Sequence, residues 1–196
     1  ELVTVERDEA RVRAVIRDAE TGREEVVEAD YMVACDGGAS SVRRALGIRF
    51  VGRGAMRANV TFFFRSPEFS KAHPVGAGNL FYNMLPDTFG VFMSIDGKDL
   101  WGYQFYFLDP KKKTTDPDVA GILYRAVGRP FDFDLLNITH WHHHQSVVTD
   151  FRDGRIFLAG DAAHLFSPTG GVGMNTGIVD AFDLSWKLDA VVKGWG

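Results

Sequence analysis

The feature that most constrains the fold is a run of four apolar residues at 156–159, followed at once by Gly160 and Asp161. Four consecutive apolar residues are typical of a strand that is buried on both faces, as in a parallel sheet. From Thr176 onward the apolar residues are spaced as on one face of a helix, and Gly194 predicts the end of that helix. The segment therefore predicts a strand, a glycine-rich loop and a helix, which is a building unit of α/β folds.

The loop between this strand and this helix has the composition of a ligand site. A carboxylate at the carboxyl end of a buried strand can accept hydrogen bonds from sugar or polyol hydroxyls, and small neighbours allow the ligand to approach closely. Glycines leave backbone N–H groups accessible, and a helix N-terminus carries roughly half a positive charge that favours an anion. The loop reads Gly160-Asp161-Ala162-Ala163-His164 and, after three further residues, Pro168-Thr169-Gly170-Gly171-Val172-Gly173-Met174-Asn175.

A second strand, turn and helix are predicted near the N-terminus, where the apolar run 31–35 ends at an Asp-Gly turn. The carboxylate of Asp36 suits a ribose or a water bound to pyrophosphate, and the guanidinium fork of Arg43 matches phosphate. An Asp-Gly turn alone is weak evidence for a site, but this one precedes a second ligand-type motif by about 125 residues. The turn and the start of the helix read Asp36-Gly37-Gly38-Ala39-Ser40-Ser41-Val42-Arg43.

The residues between the two motifs differ in character. Aromatic and β-branched runs, separated by Gly, Pro and Asp, predict a β-rich region over residues 49–149. Within it, the acidic and lysine-rich residues 109–118 predict an exposed loop, and residues 119–127 predict a helix. At the N-terminal end, the alternating residues 2–27 predict a hairpin that turns at Thr21-Gly22.

Both motifs resemble those of group A flavoprotein monooxygenases, the family of p-hydroxybenzoate and phenol hydroxylases. Residues 154–188 are similar to the GD motif of that family, and residues 36–43 are similar to its DG motif, D-G-x-x-S-x-V-R. The resemblance implies an α/β (α+β) fold of the p-hydroxybenzoate hydroxylase type. Residues 1–48 and 150–196 would be parts of a Rossmann-like FAD-binding domain, and residues 49–149 would be an inserted β-rich substrate-binding domain.

The resemblance also implies roles for individual residues. Asp161 would hold the ribityl chain of FAD, and the loop from Pro168 would pack beside the isoalloxazine ring. The backbone of Gly173, Met174 and Asn175 would face the pyrimidine edge of that ring. The DG motif would help to bind both FAD and the reducing nicotinamide nucleotide. The implied cofactor-binding set is Asp36, Gly37, Arg43, Gly160, Asp161, Ala162, Pro168, Gly171, Gly173, Met174 and Asn175.

The implied reaction is hydroxylation of an aromatic, phenolic substrate. NAD(P)H reduces the flavin, dioxygen adds to it, and a flavin hydroperoxide transfers one oxygen atom to the substrate. Because such a cofactor carries the chemistry itself, we expect no catalytic side chain. One alternative is another flavin-dependent oxidoreductase, such as a reductase or a halogenase, although the halogenase pattern Trp-x-Trp-x-Ile-Pro does not occur in the sequence.

A second alternative is a non-catalytic binding module, because the G-x-G-x-x-G motif of the family does not occur in the 196 residues. That motif holds the ADP part of FAD in relatives. We therefore expect the chain to be part of a longer protein and to bind FAD weakly or not at all by itself.

Composition bounds the partners and the location. A net charge of −4 and a pI near 5.9 leave no basic surface for nucleic acid or for an anionic membrane, so we expect small-molecule partners. Cys35 is the single cysteine and cannot form an internal disulfide, and we expect it to be a packing residue. No apolar run approaches the roughly 20 residues needed to cross a bilayer, and a cytoplasmic location is the default expectation.

Histidines raise the question of a metal. Residues 140, 142 and 144 would share one face of a strand, and His143 lies between them. No carboxylate or cysteine pattern completes a coordination set, so we favour surface or pocket-lining histidines and expect no metal. For His164 we favour a structural hydrogen bond from its ring over a catalytic role.

Overall fold

The computed structural model of the chain describes residues 1–72, 78–106, 117–168 and 170–195. It divides into two compact units. The first unit combines Glu1–Gly54 with His144–Gly196, and the second unit is Ala55–His143. The helices and strands of each unit are described separately below.

The first unit begins with a three-stranded antiparallel ribbon. The predicted hairpin turn at Thr21-Gly22 is the second of its two turns. The first turn is closed by Asp8, whose side chain accepts hydrogen bonds from the N–H groups of Ala10 and Arg11, both at 2.7 Å. The strands are β1 (Leu2–Arg7), β2 (Val12–Arg17) and β3 (Glu24–Ala29), in that order.

A small second sheet in this unit contains the predicted buried strand. The sheet consists of β4 (Met32–Ala34), β10 (Arg152–Asp153) and β11 (Ile156–Leu158), in the order β10-β11-β4. β11 runs parallel to β4, with Leu158 opposite Ala34, and all but the middle residue of β11 is buried. Because the carboxyl ends of parallel strands lie side by side, the segments that follow Ala34 and Leu158 are neighbours.

Two helices and a short turn follow these strands. α1 (Ser41–Ala45) follows β4, while a 3₁₀ turn (Gly160–Ala162), β12 (His164–Leu165) and α4 (Val172–Val192) follow β11. α4 begins four residues before the predicted Thr176, because Gly171 adopts a left-handed conformation with φ of 63° and lets the chain enter the helix there. The predicted end is confirmed, since Gly194 has a φ of 75° just beyond the helix.

The apolar stripe of α4 is present but largely exposed. Phe182 has a relative exposure of 76%, and Ile178 and Val192 are also more than half exposed. Ala190 is the one member of this helix that is classed as buried. The spacing therefore predicted the helix correctly, but among the described residues nothing covers its large apolar side chains.

The second unit is an antiparallel sheet, which confirms the predicted β-rich character of this region. Its strand order is β9-β5-β8-β7-β6. The strands are β5 (Phe50–Arg65), β6 (Leu80–Asn83), β7 (Gly90–Ser94), β8 (Leu100–Tyr106) and β9 (Asp134–Val148), of which β5 begins and β9 ends among residues of the first unit.

The described residues of the second unit also form two helices, α2 (Phe69–Ala72) and α3 (Val119–Val127). α3 has the bounds that the sequence predicts, because Asp118 caps its start and Gly128, with φ of 86°, ends it. The predicted loop at 109–118 lies outside the described residues except for its last two.

Aromatic rings form the core of the second unit. Phe69 is fully buried, and its ring centroid lies 4.6 Å from that of Trp101, 4.8 Å from that of Phe92 and 5.4 Å from that of Phe131. Packing of this kind removes large apolar areas from water and contributes most of the favourable free energy of folding.

Candidate functional site

The DG and GD motifs meet at the carboxyl ends of β4 and β11. The N–H of Ala159 donates to the carbonyl of Ala34 at 3.0 Å, which joins the two chain segments just before the motifs begin. Beyond this bond, Gly38 lies against Leu165, because a Cβ added to Gly38 would be 2.9 Å from the Leu165 Cδ2. Two segments that are far apart in sequence are thus brought together in one unit.

Asp36 is bound to the first turn of α1. Its Oδ2 accepts hydrogen bonds from the N–H of Ser41 at 2.7 Å, from the hydroxyl of Ser41 at 3.1 Å and from the N–H of Val42 at 3.2 Å. Partial burial would raise the pKa of Asp36, but hydrogen bonds from Ser40, Val42 and Ser41 outweigh it and hold the pKa below its ordinary value. The carboxylate therefore stabilises the turn in which the motif lies.

Arg43 directs its guanidinium group toward its own chain. The group lies 4.1 Å from the ring centroid of Phe50, and its two terminal nitrogens donate to the carbonyls of Ile48 at 3.4 Å and Gly38 at 3.3 Å. These contacts join the residues before and after α1. The guanidinium fork that suits phosphate is thus occupied by backbone carbonyls. Gly37, at the turn itself, has a φ of 81°, a conformation that favours glycine.

The GD turn presents a carboxylate on a rigid support. Gly160 has a φ of 58°, its carbonyl accepts the N–H of Ala163 at 2.8 Å, and Ala162 and Ala163 are fully buried. Asp161 lies between Gly160 and Ala162 in this turn and has an exposed side chain. Within the described ranges its carboxylate accepts no hydrogen bond, so it is available to an external donor.

The glycine loop leaves the start of α4 open. Gly170 and Gly171 have φ values of 94° and 63°, and no side chain caps the helix among the residues that the structure describes. A Cβ added to Gly173 would meet nothing within 4 Å, and Met174 is 77% exposed. The first N–H groups of a helix have no partner within it, so those of residues 172–174 can bind an anion.

Asp180 is a site residue that sequence reasoning missed. Its Oδ2 accepts the N–H of Gly160 at 2.9 Å and lies 2.5 Å from Nε2 of His164. The hydrogen bond expected from the ring of His164 is therefore present. The signal available in the sequence was a carboxylate one helical turn after Gly177 on the predicted helix. In the structure Gly177 packs against Gly160, so this face of α4 is directed at the turn.

Other candidates from the sequence do not join this site. His140 and His142 are exposed, whereas the ring of His143 stacks on Trp141 with centroids 4.8 Å apart. In the described part of the chain no group of three or more His, Cys, Asp or Glu could hold a metal ion. The prediction that Cys35 is a packing residue is wrong, because Cys35 is exposed. It directly follows the buried Ala34 at the end of β4, and successive side chains of an extended segment point to opposite faces.

The comparison with known proteins names the family. The sequence profile described as "FAD binding domain" matches residues 1–196. The chain belongs to the FAD binding domain family. The predicted resemblance to group A flavoprotein monooxygenases is thereby confirmed. No described helix of this FAD binding domain is long and apolar enough to cross a membrane.

Relatives and solved structures agree with this assignment. A Streptomyces halstedii protein provisionally named a polyketide hydroxylase is 40% identical over an alignment of 202 positions, which covers 100% of this chain and 36% of that protein. The structure titled "rebeccamycin biosynthetic enzyme RebC with reduced flavin" matches 100% of this chain and 37% of its own, with 36% identity and a TM-score of 0.87. A ternary complex of aklavinone-11 hydroxylase with FAD and aklavinone matches 99% of this chain and 37% of its own chain, with 30% identity and a TM-score of 0.88.

These matches confirm the predicted α/β fold of the p-hydroxybenzoate hydroxylase type. They also show that the FAD binding domain described here spans less than two fifths of the length of these three proteins.

Proposed function

We propose that the chain provides the flavin site of an FAD- and NAD(P)H-dependent monooxygenase that hydroxylates an aromatic, phenolic substrate. The observation that carries the proposal is the position of Asp161, an exposed carboxylate with no partner among the described residues, on a turn that packs against the helix with the uncapped N-terminus. A ligand with a polyol chain and an electron-rich ring would use both features. The carboxylate would accept hydrogen bonds from the polyol, and the helix N-terminus would favour negative charge on the ring.

The described residues fit a flavin. Asp161 offers a charged acceptor to ribityl hydroxyl groups, which bind a carboxylate more strongly than a neutral acceptor. The N–H groups of residues 172–174 and the dipole of α4 favour negative charge beside them. Gly173 leaves the space in front of these groups open. When bound, the flavin would supply the redox and oxygen-activating chemistry, and the chain's own residues would bind it, orient it and favour its anionic form.

The DG motif is the proposed contact for the nucleotide part of FAD and for NAD(P)H. A groove with a volume of about 910 Å³ borders Asp36, and this volume is sufficient for a nucleotide. Arg17 and Arg23 on the ribbon also line the groove. Arg17 is paired with Glu24 at 2.7 Å, so Arg23 is the cation proposed to meet phosphate groups. Asp36, Ser41 and Val42 form its motif side. In this proposal Gly37 allows the turn beside Asp36, while Arg43 supports the loop from within.

The relatives support the choice of an aromatic substrate. One of them carries hydroxylase in its name and another is seen with FAD and aklavinone. We infer that the substrate-binding part includes residues 49–149. In this proposal the aromatic substrate, dioxygen and NAD(P)H are the small-molecule partners of the complete protein.

The test uses the protein expressed from its complete gene. It should bind FAD, oxidise NADH or NADPH faster when a phenolic or polyketide-type ring is added, and incorporate one atom of ¹⁸O₂ into the product. An Asp161→Ala variant should lose flavin affinity, whereas Asp189→Ala, which removes an exposed carboxylate paired with Lys193, should keep it. A wild-type protein that binds no FAD, or that reduces flavin without forming a hydroxylated product from any ring tested, would contradict the proposal.

A further inference from the structure

Asp180 connects two parts of the proposed flavin site that are separated in sequence. It lies on α4, the helix whose start provides the N–H groups of residues 172–174. Its Oδ2 accepts the N–H of Gly160, which opens the turn that carries Asp161, at 2.9 Å. One carboxylate oxygen thus joins the helix to the turn.

The same oxygen also binds His164. The Nε2 of that ring lies 2.5 Å from the Asp180 Oδ2, and the imidazole is buried. Within the described residues Nδ1 of His164 is buried without a hydrogen-bond partner. A buried N–H without a partner costs more than a buried lone pair, so the ring hydrogen belongs on Nε2, where it is donated to Asp180.

The backbone around this carboxylate is closely packed. A Cβ added to Gly177, one helical turn before Asp180, would lie 3.4 Å from the Cα of Gly160. His164 is fixed by its pairing with Val147 in the adjacent strand. Since turn, strand and helix all meet at Asp180, its removal would free the turn to move relative to the start of α4.

We propose that Asp180 is a positioning residue for flavin binding: through Gly160 and His164 it sets the distance between the Asp161 carboxylate and the open N-terminus of α4. This inference rests on the proposed function, because it assigns the flavin to that site. Asp180 itself is not proposed to touch the flavin. Its effect arises because a ligand that spans two contacts binds best when their spacing is fixed in advance.

The test measures FAD affinity of the apoprotein prepared from the complete gene product. Asp180→Ala should weaken FAD binding by at least about tenfold, the effect of losing one hydrogen bond to a charged group. Asp180→Asn keeps one oxygen that can accept both hydrogen bonds, so its affinity should stay within about threefold of wild type. The visible spectrum of the bound flavin should shift in the Ala variant and not in the Asn variant.

Two control variants separate positioning from other effects. Asp183→Ala removes a carboxylate from the same helix that pairs with Lys187 at the surface, so it matches the change in charge. Leu123→Ala removes a fully buried side chain from α3 and lowers stability in a core cluster that does not include the turn. Both controls should retain wild-type affinity. Amide hydrogen exchange over residues 160–163, measured without flavin, should accelerate in Asp180→Ala alone.

Several results would overturn the proposal. One is an FAD affinity of Asp180→Ala within threefold of that of Leu123→Ala. Another is unchanged amide exchange over residues 160–163 in Asp180→Ala. If the Ala variant does not fold, Asp180→Glu replaces it in the test. The added methylene displaces the acceptor oxygen while keeping the charge. Normal FAD affinity of Asp180→Glu would then refute the inference. A wild-type protein that binds no FAD would refute the proposed function and this inference with it, whereas normal wild-type binding with an unaffected Asp180→Ala refutes the inference alone.

Discussion

Replacement of Asp36 should reduce stability through a defined set of hydrogen bonds. Asp36→Ala leaves the N–H groups of Ser41 and Val42 at the start of α1 without their acceptor. Loss of a capping acceptor costs roughly 0.5–2 kcal/mol, and the exposed position of Asp36 places the expected loss near the middle, at about 1 kcal/mol. Urea unfolding at pH 7 should therefore show a lower midpoint with an unchanged slope.

The dependence of this loss on pH gives a second, independent measurement. The pKa of Asp36 in the folded state lies below the ordinary value for an aspartate, so the folded state favours the charged carboxylate. Its contribution to the free energy of unfolding is therefore present above about pH 5 and is lost as the pH falls through the folded pKa. Asp36→Asn should differ from wild type at pH 7 and approach it near pH 3.

The functional consequence can be separated from the structural one. In the complete protein Asp36→Ala should also slow flavin reduction by NAD(P)H, which stopped-flow absorbance measures directly. A stability difference between wild type and Asp36→Asn that stays constant from pH 7 to pH 3 would refute the reasoning about the charged hydrogen bonds. Release of the flavin with an unchanged reduction rate in the bound fraction would refute the assignment to the nucleotide.

Three further substitutions test the site and the core. Asp161→Ala should weaken FAD binding in the complete protein by about ten- to a hundredfold, as flavin fluorescence titration would show; equal affinities would remove Asp161 from the site. Phe69→Ala should lower the free energy of unfolding by about 3–5 kcal/mol in a denaturant titration, and a loss below about 1 kcal/mol would contradict the described core. Gly90→Ala should prevent folding, judged by circular dichroism, because the new Cβ would lie 2.4 Å from the carbonyl of Gln104, whereas Gly102→Ala should fold because its nearest neighbour is the flexible end of a Met93 side chain at 3.4 Å.

Local structure could be predicted from the sequence where capping and turn residues determine it. The bounds of α3 were predicted as residues 119–127, and in the structure Asp118 and Gly128 cap them. Gly194 correctly predicted the end of α4. The buried strand at β11 followed from its continuous apolar run. These elements are specified by neighbours within a few residues, so a single sequence contains the information.

Side-chain partners could not be predicted in the same way. Arg43 has the fork that suits phosphate, yet Phe50 and two carbonyls five to seven residues away occupy it, because residue type does not determine the direction of a long side chain. Asp180 was missed because its partners, Gly160 and His164, precede it by 20 and 16 residues. The exposure of Phe182 was equally hidden, since periodicity indicates a face but does not say what covers it.

The parallel pairing of β4 with β11 affects the order in which the chain can fold. The residues between these strands form a loop of about 120, and closing it before its interior is ordered is costly in entropy. β5 and β9, through which the chain enters and leaves the second unit, are neighbours in one sheet. If that sheet forms first, the flexible loop shrinks to about 20 residues, and closing it costs about 1.5 kcal/mol less. Folding kinetics should therefore link the two units. A weakened aromatic core around Phe69 would delay assembly of the proposed flavin site, although Phe69 is not part of that site.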